Sequence, residues 1–289
     1  MFRLGAIVNE VSEDTERALS ILERWKVRDV EIHTAWGKSV EVLSAQEVQR
    51  LADSLKSRQM KTCCVASTVF LRCHLDDRED PIEWGSGFAS IEGDYQAHRD
   101  ALERCFEIAE QLQASMIRIF GFWRTGPTTD DVFQQAVERM GRAAVFAEKA
   151  GFPLVLENCP HTYFDWGSRA ARLLDMLDSK WVQLLWDPAN SIRADDPDYL
   201  SGYPLLRNRI MHVHAKDIRK DPSLPSGRAY VPVNRGLVDW KEVLTQLSHD
   251  RYEGVVSLET HHVADDGSLE TAAQESFAGL ASVLEDLAP

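Results

Sequence analysis

Eight short apolar runs recur along this chain, each followed by a longer amphipathic stretch, and that alternation constrains the fold more than any other feature. The runs lie at roughly 2–8, 28–33, 61–69, 115–120, 153–157, 181–186, 209–215 and 253–260. Parallel strands cannot be joined by a tight hairpin, so βα repetition calls for a parallel sheet whose crossover helices bury one face against it. Eight such units predict an α/β fold, a (β/α)8 TIM barrel, with residues 1–289 as a single domain. A length of 289 residues is high for most domains but ordinary for this barrel.

The stretches between the runs carry helix faces. Leu102, Cys105, Phe106, Ala109 and Leu112 repeat at three and four residues, as do Ala273, Phe277, Leu280, Leu284 and Leu287. Asp130 or Asp131 is placed to start the helix that Gly151 ends in a left-handed conformation. Two regions break the rhythm: 71–97, rich in Asp, Glu, Gly and Pro, and 218–236, which holds three prolines. In a barrel both leave the carboxyl end of a strand, where active-site loops lie.

Charge and composition exclude some partners. A formal net charge of −14 repels a nucleic-acid backbone, so no nucleic-acid partner is expected. The five cysteines form no regular framework, and no basic segment leads into an apolar stretch of membrane-spanning length. The expectation is a soluble, cytoplasmic chain without a membrane partner.

Glu157, Asp187, His214 and Glu259 each stand where an apolar run ends, in VLEN, LLWD, HVHAKD and VVSLE. One acidic residue after a strand is ordinarily a loop residue or a helix cap. Four at the same end of consecutive staves point instead to a shared cation. Carboxylate oxygens with one imidazole nitrogen suit a single divalent ion, Mn²⁺, Co²⁺, Mg²⁺, Fe²⁺ or Zn²⁺. His212 shares the direction of His214 by the period of two along a strand, and is assigned to substrate or to support of the metal ligands.

Other side chains are candidates for the pocket wall. Trp36, Trp123 and Trp186 stand at or just beyond strand ends, where an indole can cover the apolar face of a ligand or exclude water, with plain packing the alternative for each. Arg118, inside the apolar MIRIF, is expected to bind a polar substrate group or to pair with a strand-end carboxylate. Glu31 and His33 are placed to join that network. Lys216, Arg219 and Lys220 can neutralise an acidic substrate or form a solvated charge run, and His261 or His262 can reach substrate from the loop after Glu259.

From RLGAIVNE and DVEIHTAW through SMIRIFG, FPLVLENCP, LLWDPAN and HVHAKD to NRGLVDWKEVL and GVVSLETHH, the chain resembles the xylose-isomerase-like barrels grouped as sugar phosphate isomerases and epimerases. The resemblance to ketose 3-epimerases implies Glu157, Asp187, His214 and Glu259 as metal ligands, with Glu157 and Glu259 as the acid/base pair. Asn190 stands where those epimerases often carry His and is taken as a substrate contact. HAKD, followed by Ile218, Arg219 and Lys220, replaces their HTGE and substrate-binding Arg. Lys216 and Asp217 instead match the HxKD form of inositol-pathway dehydratases and isomerases. The implied activity is divalent-metal-dependent isomerisation or epimerisation of a sugar, keto-sugar or polyol. Glutamates move the proton, and the metal stabilises the enediolate that develops. Dehydration of an inosose or keto-sugar and a non-catalytic sugar-binding barrel are the alternatives. A homo-oligomer stays open.

Overall fold

The computed structural model describes residues 2–76, 78, 80–83 and 88–287. Eight parallel strands close a barrel in which each stave pairs with its neighbours in chain order and the last pairs with the first. They are β1 (Arg3–Ile7), β2 (Asp29–Ile32), β3 (Lys61–Val65), β4 (Ile117–Ile119), β5 (Leu154–Glu157), β6 (Val182–Trp186), β7 (Ile210–Ala215) and β8 (Val255–Leu258). The chain meets its own end where Arg3 pairs with Val255. Gly5 is required there, since a Cβ would stand 2.6 Å from Val255 Cγ1.

Helices cover the outside as their spacing predicts. Leu102, Cys105, Phe106, Ala109 and Leu112 are all buried on the helix Tyr95–Leu112. On the last helix Ala273 and Leu280 are buried, with Phe277, Leu284 and Leu287 packed half-buried beside them. Gly151 ends the helix Asp130–Ala150 with φ 79°, but its N-cap is Thr129, whose hydroxyl accepts from the Val132 N–H. Asp130 and Asp131 lie in the first turn, where their charge complements the helix dipole. No helix among the described residues is long and apolar enough to cross a membrane.

The structure departs from the apolar pattern in two places. The run 61–69 pairs only as far as Val65, because the chain then folds over the barrel mouth with Ser67 N–H donating back to Val65 O at 2.8 Å. Residues 66–69 are apolar or buried because they roof the barrel. The region 218–236 is not an unstructured loop: Asp217–Lys220 pairs antiparallel with Arg228–Val231. In the region 71–97, residues 77, 79 and 84–87 lie outside the described residues.

One buried histidine ties this roof to the helix layer. His98 Nδ1 accepts from the Phe70 N–H at 2.9 Å and Nε2 faces Arg72 O at 3.2 Å, so the neutral ring carries its proton on Nε2. Burial pushes its pKa from 6.5 to about 4. The unfolded chain therefore takes up this proton first. The stability that neutral His98 confers is complete above pH 6.5 and is lost as pH falls toward 4. We expect Tm to fall through that window and the decline to flatten in His98→Gln. An unchanged slope in the variant would assign the loss to other groups.

Candidate metal and proton-transfer site

Strand periodicity builds the site in two tiers. Met116, Val155 and Leu185 belong to an apolar cluster with Cys63, Cys64 and Val255. Two residues further along the chain in each case, at or just past the strand, come Arg118, Glu157 and Asp187, all buried. A polar tier therefore sits directly on an apolar plug, toward the carboxyl end of the barrel.

Glu157, Asp187, His214 and Glu259 are buried and offer ligand atoms all within 4.8 Å of one another. His214 Nδ1 stands 3.2 Å from a Glu259 oxygen and 4.0 Å from a Glu157 oxygen. Asp187 splits its carboxylate: Oδ1 caps the helix Pro188–Arg193 by accepting from the Asn190 N–H at 2.9 Å, and Oδ2 faces the site. His214 Nδ1 and Asp187 Oδ2 find no aligned hydrogen-bond partner among the described residues although both are buried. A buried imidazole nitrogen grouped with three carboxylates suits a divalent cation.

Cationic side chains hold the carboxylates together. Arg118 donates to Glu157 at 3.0 Å, approaches Glu259 at 3.6 Å, and donates to the carbonyls of Ser67 and Ala66 at 3.1 and 3.0 Å. Lys216 Nζ lies 2.7 Å from Asp187 Oδ2 and donates to Glu259. Asn190 Nδ2 donates to Glu157 Oε1 at 2.9 Å. Burial and the neighbouring Glu259 raise the pKa of Glu157. Burial works the same way on Glu259, but Lys216, His214 and His261 outweigh it and hold that carboxyl well below its ordinary value. The two glutamates are thereby driven apart.

A fourth carboxylate lies beneath. Glu31 on β2 faces His212 Nε2 at 2.7 Å and His214 Nε2 at 3.2 Å, and all three side chains are fully buried. Burial opposes its charge, yet the two imidazoles hold its pKa well below the usual carboxylate range. An ionised Glu31 accepts only, so both Nε2 atoms carry the donated proton and His214 presents Nδ1 to the four-residue cluster.

The cavity above has a volume of about 290 Å³ and is lined by Glu157, Glu259, Arg118, Asn190, Lys216 and His261, among others. His212 does not line it; one strand period below His214, it lies beneath the cluster against Glu31. Trp36 packs outside under Arg50, whose guanidinium carbon is 4.3 Å from the ring centroid. Trp123 stacks on His161, which does line the cavity, at 5.5 Å. Trp186 turns outward into the helix layer near Tyr203, as the opposite direction of neighbouring Asp187 requires. Lys220 is exposed on the hairpin and lies outside the cavity, as does exposed Arg219. His262 pairs with Glu275 at 2.9 Å instead of lining it.

Of the two roles open to Lys216, the structure excludes a solvated charge run: the side chain is buried and lines the cavity, in the direction that the period of two gives from His214. Other residues of the site carried no signal in the sequence. Asn158 clamps β5 to β6, exchanging hydrogen bonds of 2.8 Å with the Asp187 backbone. Arg193 and Tyr230 reach the cavity from a helix end and from the hairpin, and no spacing in the sequence announces that.

The chain matches the family model described as "Xylose isomerase-like TIM barrel" over residues 19–283. It is 24% identical over 143 residues to an inosose dehydratase from Clostridium perfringens, an alignment that covers 45% of this chain and 48% of that protein. The chain thus spans about half the length of that curated relative. A crystal structure of the IOLI protein with a bound zinc atom superposes with a TM-score of 0.76 at 15% identity, over 99% of each chain. An apo 3-keto-D-glucoside 4-epimerase from E. coli superposes with a TM-score of 0.72 at 17% identity, over 98% of this chain and 100% of that one. At these identities the two structures speak to the fold alone.

Proposed function

The chain belongs to the xylose isomerase-like TIM barrel family, and on that premise we propose that it is an enzyme holding one divalent metal ion through Glu157, Asp187, His214 and Glu259. Its reaction is proton transfer at a carbon beside the carbonyl of a keto-sugar or related polyol, with isomerisation or epimerisation as the outcome. The observation that carries this reading is the convergence of three carboxylates and one imidazole nitrogen within 4.8 Å, two of the carboxylates lining the cavity. The zinc of the IOLI structure supports a metal without identifying it.

When bound, the ion polarises oxygens of the substrate beside the reacting carbon and lowers the cost of the negative charge that develops. Glu259, held ionised, takes the proton from carbon. Glu157, whose other oxygen Asn190 holds, is placed to return a proton. Arg118 keeps both carboxylates in place.

Dehydration is the second reading, favoured by the match to an inosose dehydratase. It begins with the same proton removal and ends with loss of a hydroxyl from the adjacent carbon. Incubation with ketoses and inososes in deuterated water tests both. The proposal requires metal-dependent exchange of a substrate C–H, with an isomeric product for the first reading and a dehydrated one for the second. No exchange with any metal across the panel would discard the chemistry.

Glu31 sets the ring that delivers Nδ1. Glu31→Gln should therefore weaken Mn²⁺ binding roughly ten- to hundredfold, read by calorimetric titration. Unaltered affinity would remove Glu31 from the account of the site.

A further inference from the structure

Arg193 differs from the other cations of the cavity. Arg118 and Lys216 are both bound to carboxylates, at 3.0 Å from Glu157 and 2.7 Å from Asp187. His261 is matched by Glu10 at 3.5 Å. Arg193 lines the same cavity half-buried, and among the described residues no carboxylate lies within ion-pair distance of it. It donates from Nη1 to the Tyr230 hydroxyl, and its guanidinium carbon lies 5.4 Å from the Tyr230 ring centroid. A guanidinium withdrawn from water without a counterion is costly unless a ligand provides one.

The pair is built as a donor site. With its oxygen accepting from Arg193, Tyr230 keeps its own O–H to give, and Arg193 keeps further N–H groups in a planar fork suited to an anion. The neighbouring His161 is pushed to about 4 by burial and by Arg193, so it adds no charge at neutral pH. Arg118, Lys216 and Arg193 balance Glu157, Asp187 and Glu259, so a divalent ion makes the cavity cationic, and Glu31 beneath removes only part of that excess.

We propose that Arg193 and Tyr230 form a subsite for an anionic group of the substrate, a carboxylate or a phosphate. The enzyme's substrates are then acidic keto-sugars or sugar phosphates in preference to neutral sugars. This inference rests on the metal-dependent proton-transfer reading and deepens it by naming the substrate class.

Calorimetric binding to the Mn²⁺-loaded full chain tests it with three probes: D-fructose, its uronate D-fructuronate, and its terminal phosphate ester. One anionic probe should bind roughly ten- to hundredfold more tightly than D-fructose. Arg193→Leu should erase that advantage and Arg193→Lys retain part of it, each variant being compared at full Mn²⁺ loading. Whichever anion wins identifies the group. Equal or undetectable binding of all three probes, or an advantage that survives Arg193→Leu, overturns the subsite. Anion preference through Arg193 without any proton exchange would reject the parent reaction and leave the subsite standing. Exchange on neutral sugars without preference would do the reverse.

Discussion

Glu259→Gln lowers proton exchange at saturating metal by roughly a hundred- to ten-thousandfold, the range expected for loss of a positioned general base. The amide keeps the size of the carboxylate but cannot take up a proton at that oxygen. Glu259 also sits against Lys216, His214 and His261, so the substitution removes the negative charge those groups surround. Metal affinity should fall as well, and the assay must therefore be run across a metal titration. A rate that recovers to within about tenfold of the parent once metal saturates would reduce Glu259 to a ligand. Persistence of the deficit assigns it the proton.

Arg118→Met should be the most damaging single change to stability, by roughly 3–5 kcal/mol, the usual cost of removing one member of a buried charge pair. Methionine fills much of the volume but leaves Glu157 and Glu259 without the guanidinium they share. It also strips the donors from the Ala66 and Ser67 carbonyls where the roof leaves β3. The sign of the metal response gives a second check: a divalent ion replaces part of the lost positive charge, so Mn²⁺ should raise the Tm of Arg118→Met more than that of the parent. Denaturant unfolding measures the first effect and thermal melting with and without metal the second. A variant as stable as the parent would show that Arg118 is not the counter-charge for the glutamates.

The barrel and the four-residue cluster at its carboxyl end were readable in the sequence for one physical reason. A strand buried on both faces reads as an apolar run, and the first polar residue after it marks the carboxyl end of the stave. That logic located Glu157, Asp187, His214 and Glu259, which the fold brings together. It also contained Lys216, whose inward direction follows from that of His214 but was obscured by the basic residues after it. Lys220 went astray for the complementary reason: past Asp217 the chain enters a hairpin outside the barrel, and barrel periodicity no longer says which way a side chain points. Arg193 and Tyr230 were illegible because their meeting depends on how that hairpin folds back on the helix after β6, across 37 positions of sequence. Trp36 and Trp186 illustrate a different limit. An indole beside a strand end packs equally well over a sugar or under a helix, and here Arg50 and Tyr203 claim them.

The common cation is tested most directly by an anomalous difference map from crystals of the full chain grown with Mn²⁺. One strong peak should appear between the carboxylates of Glu157, Asp187 and Glu259 and Nδ1 of His214, and should vanish with chelator. Manganese bound elsewhere, or a peak that two or more of those four residues fail to reach, would contradict the account.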